Sequence, residues 1–490
     1  MGAPDVITGV VVVGAGPAGL MLAAELGLAG TDVVVLERLA EPTAQSRAST
    51  LHARTMEIFD SRGLLGALGS PPCDRMGHFG GVPLDLTLDT PFPGQWKVPQ
   101  SRTEEILAER AISLGADLRR GHTVTGLTAG PEHVDITATS DGRPVRVRGA
   151  YAVACDGADS TVRRLLGAGF PGTDAGRELV RADVSGIEIA DRRFQRLERG
   201  LAIAARRPDG VTRVMAHEYG AAPGPAGADP DFGTVSDIWK RVTGEDISGG
   251  TPLWVNSFGD ASRQLSQYRH GRVLFAGDAA HQQMPIGGQA LNLGLQDAVN
   301  LGWKLASQVR GHAPDGLLDT YHTERHEVGR RVLGNIRAQA ALLLGGPEAD
   351  PVRTVLGELI RIEAARRHLA GMISGLDIRY PAGGGDHPLV GARLPHLPLT
   401  TDGGGETSTT ALLRSGRGLL VDLNPGTVLV RPDGYVAWAD PATGESLATG
   451  EARRPVRYQR GWPAVAGAGL EDALGRWFGP QPGRAPWTFP

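Results

Sequence analysis

A β-branched run, a glycine-rich turn, a helical segment and a second β-branched run follow one another between Val10 and Arg38. The two apolar runs, Val10–Val13 and Val33–Leu36, are typical of strands that are buried on both faces of a parallel sheet. A strand, a helix and a second strand in this order form a βαβ unit, in which the two strands are parallel. The stretch therefore predicts an α/β fold that is organised around a parallel sheet.

The turn of this unit has the spacing GxGxxG at Gly14, Gly16 and Gly19. In a dinucleotide site the first glycine permits the sharp turn, the second lets backbone approach the pyrophosphate, and the third lets the helix pack closely on the strand. Pro17 suits the first helical turn, whose free N–H groups attract a diphosphate. Glu37 ends the second strand, where it can accept hydrogen bonds from ribose hydroxyls. The segment predicts a Rossmann-type dinucleotide-binding domain.

A membrane span and a secretory signal are both disfavoured for the N-terminal segment. Val6–Ala24 carries no charged residue and approaches a membrane span in length. The three glycines of the turn, the proline and the strand-like valines argue against a span. A secretory signal needs a basic region at its start, and Met1–Thr8 has none. We therefore expect no membrane association.

The composition indicates two or three globular domains in 490 residues, of which 41% are hydrophobic. The formal net charge of −4 predicts neither nucleic acid nor an anionic membrane as a partner. The two cysteines, Cys73 and Cys155, form no disulfide framework and have no metal-ligand spacing. We therefore expect no metal and a reducing, cytoplasmic location.

A second strand-to-helix corner follows the apolar run Tyr151–Ala154. Asp156 and Gly157 turn the chain, Ser160 can cap, and Val162–Leu166 begins a helix. An acid followed by glycine at the end of a strand can bind cofactor hydroxyls, although a simple turn gives the same pattern.

The pattern changes between residues 178 and 266, where Leu201–Ala205 and Val211–His217 alternate as in an antiparallel sheet. Residues 221–231 are rich in proline, glycine and alanine and predict a loop. We expect a substrate domain inserted at residues 178–266, to which strands near residues 77–98 contribute.

The third corner begins with the apolar strand Val273–Ala276 and ends it at Gly277-Asp278. Residues 285–289 form a glycine loop, and a long helix is predicted from near Leu291. A helix N-terminus that is preceded by small residues suits an electron-rich ring edge or a carbonyl group.

These motifs stand in chain order and are specific as a set. They are Gly14-Ala15-Gly16-Pro17-Ala18-Gly19 with Glu37, Cys155-Asp156-Gly157 with Ser160, Val162 and Arg163, and Gly277-Asp278 with Pro285. Together they resemble the single-component (class A) flavoprotein monooxygenases. Residues 170–172 (FPG), 258–260 (FGD) and 317–326 (LLDTYHTERH) are similar to the aromatic polyketide hydroxylases of that family. The resemblance covers residue 8 to about residue 400.

The resemblance implies an enzyme that holds FAD non-covalently, uses NADPH or NADH without a separate Rossmann domain for it, and consumes dioxygen. A flavin C4a-hydroperoxide would then hydroxylate a large polycyclic aromatic, polyketide-type substrate, as in antibiotic biosynthesis. Glu37 would bind ribose, Asp278 the ribityl chain, and Arg47 and Gln100 the flavin side. The implied cofactor-binding residues are Gly14, Gly16, Pro17, Ala18, Gly19, Glu37, Arg38, Arg47, Gln100, Asp156, Gly157, Asp278, Pro285, Gly288, Ala290, Leu291 and Asn292.

The backbone amides of Leu291 and Asn292 are the candidate catalytic groups, at the pyrimidine edge of the flavin. Relatives usually have Gly-Gln-Gly before an apolar residue and Asn, whereas Gly288-Gln289 is followed here by Ala290. Alanine adopts a positive φ at a cost of roughly 1 kcal/mol or more. If relatives need a positive φ there, we expect these amides to be displaced from the flavin. No catalytic base is evident, because His217 and His281 fit structural roles better.

The resemblance implies a thioredoxin-like C-terminal domain at residues 396–490, which is shortened because residues 417–423 (RGLLVDL) run directly into residues 424–426 (NPG). It lacks Cys-x-x-Cys and so cannot exchange disulfides, which leaves a packing or oligomer surface, as in a homodimer. The FAD-binding domain would comprise residues 1–177 and 267–395.

Two other classes of function stay open. One is different flavin chemistry on a polyketide-like or ansamycin substrate: Baeyer–Villiger oxidation, drug-inactivating hydroxylation, or oxygen-independent dehydration or reduction. The other is a nucleotide-fold binding protein without redox turnover, which the presence of all three motifs disfavours.

Overall fold

A computed structural model describes residues 4–43, 48–224, 228–401, 405–423, 426–443, 456–458 and 469–479. Its first eleven strands are β1 (Val6–Val13), β2 (Val33–Leu36), β3 (Thr50–His52), β4 (Cys73–Asp74), β5 (Met76–Phe79), β6 (Val82–Asp85), β7 (Gln95–Lys97), β8 (Asp117–Arg119), β9 (Thr123–Ala129), β10 (Val134–Ser140) and β11 (Arg143–Ala154). The middle of the chain contributes β12 (Gly172–Thr173), β13 (Glu178–Ser185), β14 (Arg192–Leu197), β15 (Gly200–Arg206), β16 (Thr212–Glu218), β17 (Thr251–Gly259), β18 (Ser262–Gln264), β19 (Arg269–His270), β20 (Val273–Phe275) and β21 (His281–Gln282). The last strands are β22 (Pro398–Thr401), β23 (Glu406–Ser408), β24 (Leu419–Asp422), β25 (Thr427–Val430), β26 (Val436–Ala439) and β27 (Val456–Tyr458).

The helices surround these strands. They are α1 (Pro17–Leu28), α2 (Ala53–Ser61), α3 (Leu65–Leu68), α4 (Gln100–Ser113), α5 (Thr161–Leu166), α6 (Phe232–Thr243), α7 (Gln289–Val309), α8 (Asp319–Leu344), α9 (Asp350–Ile360), α10 (Glu363–Ser374), α11 (Thr409–Leu412) and α12 (Leu470–Phe478). Short 3-10 turns lie at Gly277–Ala279, Ile286–Gly288, Pro347–Ala349 and Leu413–Ser415.

A largely parallel sheet lies at the centre of the fold, with the strand order β19-β20-β11-β1-β2-β8. β1 runs parallel to β2 on one side, where Val10 pairs with Val33, and to β11 on the other, where Val13 pairs with Ala154. Val10–Val13 of β1 are buried on both faces, which confirms the interpretation of the apolar runs. Strands β9 and β10 extend β11 as an antiparallel hairpin. The mixed α/β class predicted from the first βαβ unit is confirmed.

A second sheet is antiparallel and has the order β14-β15-β16-β13-β17. Its two faces differ because alternate side chains point to opposite sides. On one face, Ala182 and Val214 pack with Trp239 of α6, a helix that the strand pattern did not indicate. On the other face, Leu201 packs in an apolar group with Met284, which precedes the third corner's glycine loop. The second face is therefore directed at the predicted site.

The C-terminal region adds the antiparallel meander β24-β25-β26, and α12 packs against β26. Between residues 4 and 479, within the ranges described above, no helix is both long and apolar enough to cross a membrane. Over the same ranges, no group of three or more His, Cys, Asp or Glu side chains could hold a metal ion.

Candidate functional site

The three glycine corners meet at the carboxyl ends of the central strands. Gly14 has a φ of +102°, and a Cβ placed on it would lie 2.4 Å from the carbonyl oxygen of Cys155. A Cβ on Gly19 would lie 2.0 Å from the Gly14 oxygen, so the third glycine permits the predicted close packing of α1 on the strand. A Cβ on Gly277 would lie 3.0 Å from the Cβ of Ala18. Glycine is thus needed where the corners touch.

A cavity of about 500 Å³ opens between the first two corners. It is lined by Val13, Gly14, Gly16, Leu36, Glu37, Arg38, Leu39, Thr43, Gln100, His122, Thr123, Val124, Cys155, Asp156, Gly157, Asp159 and Thr161. The predicted residues Gly14, Gly16, Glu37, Arg38 and Gln100 therefore share one surface. A Cβ on Gly16 would meet no atom within 4 Å, so the second glycine leaves the approach to its backbone open.

The Glu37 carboxylate is tied to the glycine turn. Its Oε2 accepts a hydrogen bond from the Ala15 N–H at 2.7 Å, and its Oε1 accepts one from the Leu39 N–H at 2.9 Å. Because each carboxylate oxygen has further lone pairs, Glu37 can hold the turn and still accept a hydroxyl. Arg47 lies outside the described residues.

The second corner presents a carboxylate with one unused oxygen. Asp156 Oδ2 accepts the Val162 N–H at 3.0 Å, near the start of α5. Asp156 Oδ1 is buried and has no hydrogen-bond partner among the residues with described positions. Ser160 caps α5, as predicted, by accepting the Arg163 N–H at 3.0 Å. A buried oxygen without a donor is costly, which marks Asp156 as an acceptor for a ligand hydroxyl.

A buried charge cluster fixes the third corner. Asp297 Oδ2 accepts the Gly277 N–H at 3.1 Å and lies 2.7 Å from His281 Nε2. Its Oδ1 accepts from Arg325 Nε at 2.6 Å. Burial alone would raise the pKa of Asp297, but Arg325 and His281 hold it below its ordinary value. We call His281, Asp297 and Arg325 the cofactor-side cluster.

The sequence reasoning missed Asp297 and Arg325. The only signal was that an acid and an arginine stand in otherwise apolar helical faces, which in a buried helix requires a partner. Asp278, the predicted ribityl ligand, is exposed next to the residue that this cluster fixes.

The glycine loop differs from the expectation for Ala290. The positive φ values fall on Gly287 (64°) and Gly288 (70°), and Ala290 lies within the first turn of α7. Ala290 is therefore free of backbone strain in this structure, because glycine occupies both left-handed positions. α7 starts at Gln289, earlier than predicted, so its free N–H groups include those of Ala290 and Leu291.

The side chain of Asn292 has a structural task that the sequence did not predict. Its Oδ1 accepts the His52 N–H at 2.9 Å, and its Nδ2 donates to the carbonyls of Thr50 at 2.9 Å and Gly288 at 2.7 Å. The Asn292 N–H comes one residue after the free amides, where the helix can bond it to Gly288. The side chain therefore holds the loop against β3. Pro285 stands immediately before the 3-10 turn of this loop.

Known families match most of the chain. The family model described as "FAD binding domain" matches residues 7–335, and "Aromatic-ring hydroxylase, C-terminal" matches residues 387–427. The chain is 42% identical to a 12-dehydrotetracycline 5-monooxygenase/anhydrotetracycline 6-monooxygenase of Streptomyces rimosus, over 96% of this chain and 99% of that protein. The chain belongs to the FAD-dependent aromatic hydroxylases.

Other relatives agree on the fold and differ in their reactions. The crystal structure of CabE, an aromatic hydroxylase from angucycline biosynthesis, superposes with a TM-score of 0.88 at 46% identity, covering 96% of this chain and 99% of CabE. A dialkyldecalin synthase of Streptomyces rugosporus is 40% identical over 96% of this chain and 99% of its own length. The hydroxylase described here is a flavin-dependent monooxygenase and uses FAD.

His52 is a further residue of the hydroxylase that sequence reasoning did not single out. It is buried, and its Nε2 lies 2.7 Å from the Gly287 carbonyl oxygen in the glycine loop. Burial lowers the pKa of His52 to about 4, assisted by the positive charge of Lys97. The ring is therefore neutral at physiological pH and donates to the loop.

The other two histidines considered from the sequence have structural contacts in the hydroxylase. His217 places Nδ1 2.7 Å from the Glu178 carbonyl and Nε2 3.1 Å from the Leu344 carbonyl, which joins the second sheet to α8. His281 belongs to the cofactor-side cluster. Neither histidine is positioned as a base by these contacts.

Proposed function

We propose that this monooxygenase hydroxylates a large polycyclic aromatic substrate of polyketide type, with FAD between the three glycine corners and NADPH or NADH as the reductant. The observation that carries the proposal is the polar cavity of about 500 Å³ between the first two glycine corners, on which Glu37 and Asp156 both lie. The apolar face of the second sheet packs next to the glycine loop, against Met284 and Ile286.

The polar cavity fits FAD in the chemistry of its lining. The orphaned Asp156 Oδ1 and the carboxylate of Glu37 are acceptors for ribose or ribityl hydroxyls. Gly16 leaves the N-terminus of α1 open to a diphosphate. When bound, FAD would take hydride from the nicotinamide and activate dioxygen.

The loop supplies orientation and electrostatics. The free N–H groups of Ala290 and Leu291 at the start of α7 are aimed along the helix axis, where they stabilise negative charge on a carbonyl edge. Asn292 and His52 hold this turn rigidly, so the amides need no rearrangement at the moment of reaction. Leu291 is therefore retained as a backbone catalytic group, and Ala290 joins it.

The substrate side is apolar. The face of the second sheet presents partly buried apolar side chains, among them Ile203, Met215 and Phe258, which pack on the buried group that contains Met284. Partly exposed apolar side chains suit flat rings and help to exclude water from the site of oxygen activation. This supports a polycyclic substrate rather than a small polar one.

The domain boundaries are part of the proposal. Residues 178–266 would be the inserted substrate domain, with the β5–β6 hairpin added to it, and residues 396–490 a shortened thioredoxin-like domain. A homodimer is supported by four exposed apolar side chains on α9 and just beyond it: Val352 (59%), Val355 (54%), Leu359 (47%) and Ile362 (56%). Sedimentation equilibrium of the wild type and of Val355→Glu tests whether a second copy covers this face.

The test of the function is product mass. The protein, reconstituted with FAD, is incubated with NADPH and 2,6-dihydroxyanthraquinone under air and under argon. Hydroxylation predicts a product with one added oxygen atom under air and none under argon. Turnover that continues under argon would instead favour oxygen-independent flavin chemistry, the second candidate, which the dialkyldecalin synthase relative supports.

A separate measurement tests the cofactor site. Asp156→Asn keeps an oxygen for the Val162 N–H but replaces Oδ1 by an amide group that cannot accept a hydroxyl. We expect FAD affinity to fall about 10-fold, as for the loss of one hydrogen bond. Glu105→Gln, on an exposed part of α4, serves as the control. Equal FAD affinities for the wild type and Asp156→Asn would remove Asp156 from the site.

A further inference from the structure

We propose that His78 and Phe194 form a recognition pair for the aromatic substrate, in which Phe194 stacks on its rings and His78 Nε2 donates a hydrogen bond to a carbonyl or phenolic oxygen. The inference rests on the proposed function. It goes beyond it by naming the residues that would distinguish a polycyclic substrate with phenol or carbonyl groups from an unsubstituted polycyclic hydrocarbon. It starts from a backbone conformation that packing alone does not explain.

Phe194 has a φ of 50°, in the left-handed region that non-glycine residues avoid. It lies in β14 where the register against β15 shifts between Arg192 and Gln195. Such bulges re-aim a side chain and are common beside active sites. Strained residues persist where the surroundings hold them for a function, and an aromatic ring is an unfavourable occupant of this conformation. The bulge therefore directs Phe194 for a purpose.

The ring of Phe194 is partly buried and packs against the apolar group that contains Met284 and Ile286, in the segment that leads into Gly287. Its ring centroid lies 4.2 Å from that of His78, with an interplanar angle of 56°. The neighbouring Arg193 donates to the Met76 carbonyl at 2.8 Å, so β14 lies directly over β5.

The β5–β6 hairpin that carries His78 lies next to the glycine loop. Its turn residue Gly80 donates its N–H to Gln339 Oε1 at 3.2 Å. The same Gln339 oxygen lies 3.7 Å from the Cβ position of Gly287. His78, two residues before this turn, is thus held at a defined distance from the loop that orients the flavin.

The tautomer of His78 is set by the turn. The N–H of Gly81 donates to His78 Nδ1 at 3.2 Å, so Nδ1 is an acceptor and the ring proton is on Nε2. Nε2 has no hydrogen-bond partner among the residues for which the structure gives positions. Burial first, then the positive charges of Arg193 and Lys97, lower the pKa of His78 to about 4. The ring therefore presents one neutral N–H donor throughout the working pH range.

The surrounding charges indicate which form of the oxygen is bound. Lys97 and Arg193 both act on the ring electrostatically, and Arg193 has Asp74 at 3.7 Å as its acidic neighbour. Lys97 donates to Thr50 Oγ1 at 3.3 Å, on the strand face that meets the glycine loop. A positive surrounding stabilises a phenolate or enolate oxygen better than a neutral ether. The recognised group is therefore an acidic or carbonyl oxygen.

The experiment uses the FAD-loaded enzyme and two probes of similar ring size, 2,6-dihydroxyanthraquinone and anthracene, with binding followed by the change in flavin absorbance. His78→Phe keeps a ring against Phe194 and removes the donor. We expect its affinity for the dihydroxyanthraquinone to fall about 10-fold and its affinity for anthracene to change less than about 2-fold. His78→Gln restores a donor and is expected to stay within about 3-fold of the wild type for both probes.

Phe194→Gly separates recognition from folding. Glycine adopts a φ of 50° without strain, which offsets part of the packing that is lost with the ring, so the melting temperature is expected to change little. The affinity for both probes is expected to fall about 10-fold, because the stacking surface is lost for either compound. His368→Phe, an exposed histidine on α10, is the matched control.

The inference is overturned if His78→Phe weakens the binding of both probes equally or of neither, or if Phe194→Gly leaves both affinities unchanged. A wild-type enzyme that binds neither probe and hydroxylates no polycyclic phenol contradicts the proposed function itself. The two failures are therefore distinguishable, because the second is seen before any variant is made.

Discussion

The helix pair α7 and α8 buries charge in two places with different consequences. Toward the site lies the cofactor-side cluster, in which Asp297 of α7 meets Arg325 of α8. Two turns further along α7, Lys304 meets Glu324, the residue that precedes Arg325. All four side chains are at most 1% exposed. Consecutive residues of α8 thus belong to two different clusters, and the two clusters hold different parts of the fold in place.

The second group, which we call the tail-side cluster, comprises Lys304, Glu324, Arg431 and Asp433. Arg431 donates to Glu324 Oε1 at 2.6 Å and also pairs with Asp433, at the turn between β25 and β26. Its guanidinium lies 4.4 Å from the Trp477 ring centroid of α12. The tail-side cluster therefore attaches the C-terminal region to the helices, whereas the cofactor-side cluster holds the Gly277 amide.

Buried charges therefore have different consequences in the two clusters. In both clusters an unpaired charge would have a large desolvation cost, and its partners offset that cost with little net gain in stability. The main effect of each cluster is therefore to fix the geometry of the segments that it joins. We expect that breaking the tail-side cluster lowers stability with little effect on FAD, and that breaking the cofactor-side cluster also weakens FAD binding.

The largest effect is expected for Arg431→Met. The change leaves Glu324 and Asp433 buried with only Lys304 as a cation, which is expected to lower the free energy of unfolding by about 3–5 kcal/mol. Urea unfolding in excess FAD measures it, and FAD titration of the folded variant should match the wild type. A parallel loss of FAD affinity would show that the two clusters are not separate in function.

The next effect is the acid dependence of the tail-side cluster. Burial alone would raise the pKa of Glu324, but Arg431 and Lys304 lower it to about 2, against an ordinary value of 4.5. Because the folded pKa lies below the unfolded one, this stabilisation is complete above about pH 4.5 and is lost as the pH falls toward 2. The shift corresponds to about 3 kcal/mol.

Glu324→Gln removes this titration, so the difference in unfolding free energy between the wild type and the variant should shrink by about that amount from pH 6 to pH 2. Unfolding by urea at fixed pH values measures the difference. A constant gap across this range would contradict the assignment of the shift to Glu324.

A smaller effect is expected for Asp297→Asn, and it is measured as a change in FAD affinity. The amide removes the carboxylate partner of Arg325 and weakens the hydrogen bond from the Gly277 N–H. The corner that carries Asp278 is therefore held less firmly. We expect the dissociation constant for FAD to rise about 10-fold, which is about 1.4 kcal/mol. Asp319→Asn, which breaks the exposed pair with Arg269, is the control and should leave FAD binding unchanged.

Local patterns made much of this structure predictable. The glycine spacing identified the corner at Gly14 because each glycine answers a local steric demand, and the Ser160 cap follows from its place before a helix. The buried strands β1 and β2 were evident from their valines. These features depend on neighbours within a few residues, which a sequence shows directly.

Contacts between distant segments were not predictable. Asp297 and Arg325 are 28 positions apart, and nothing in their surroundings names the partner. Phe194 was missed because an aromatic residue in an alternating run predicts an ordinary strand, and only the observed φ of 50° reveals the bulge. At Ala290 the residue order of the motif did not show which positions take a positive φ. The structure places that conformation at Gly287 and Gly288.

The smallest effect is expected for Ala290→Gly, which lies on α7 but in neither cluster and so provides their baseline. Because Ala290 is already helical, glycine relieves no strain there and only adds flexibility to the first turn, at a cost of at most about 1 kcal/mol. The ratio of NADPH oxidised to product formed should equal that of the wild type. A changed ratio, measured with the same substrate at saturating FAD, would mean that the loop adopts a second conformation during turnover, in which residue 290 needs a positive φ. In that case the cofactor-side cluster would have to be described as holding a moving loop rather than a fixed one.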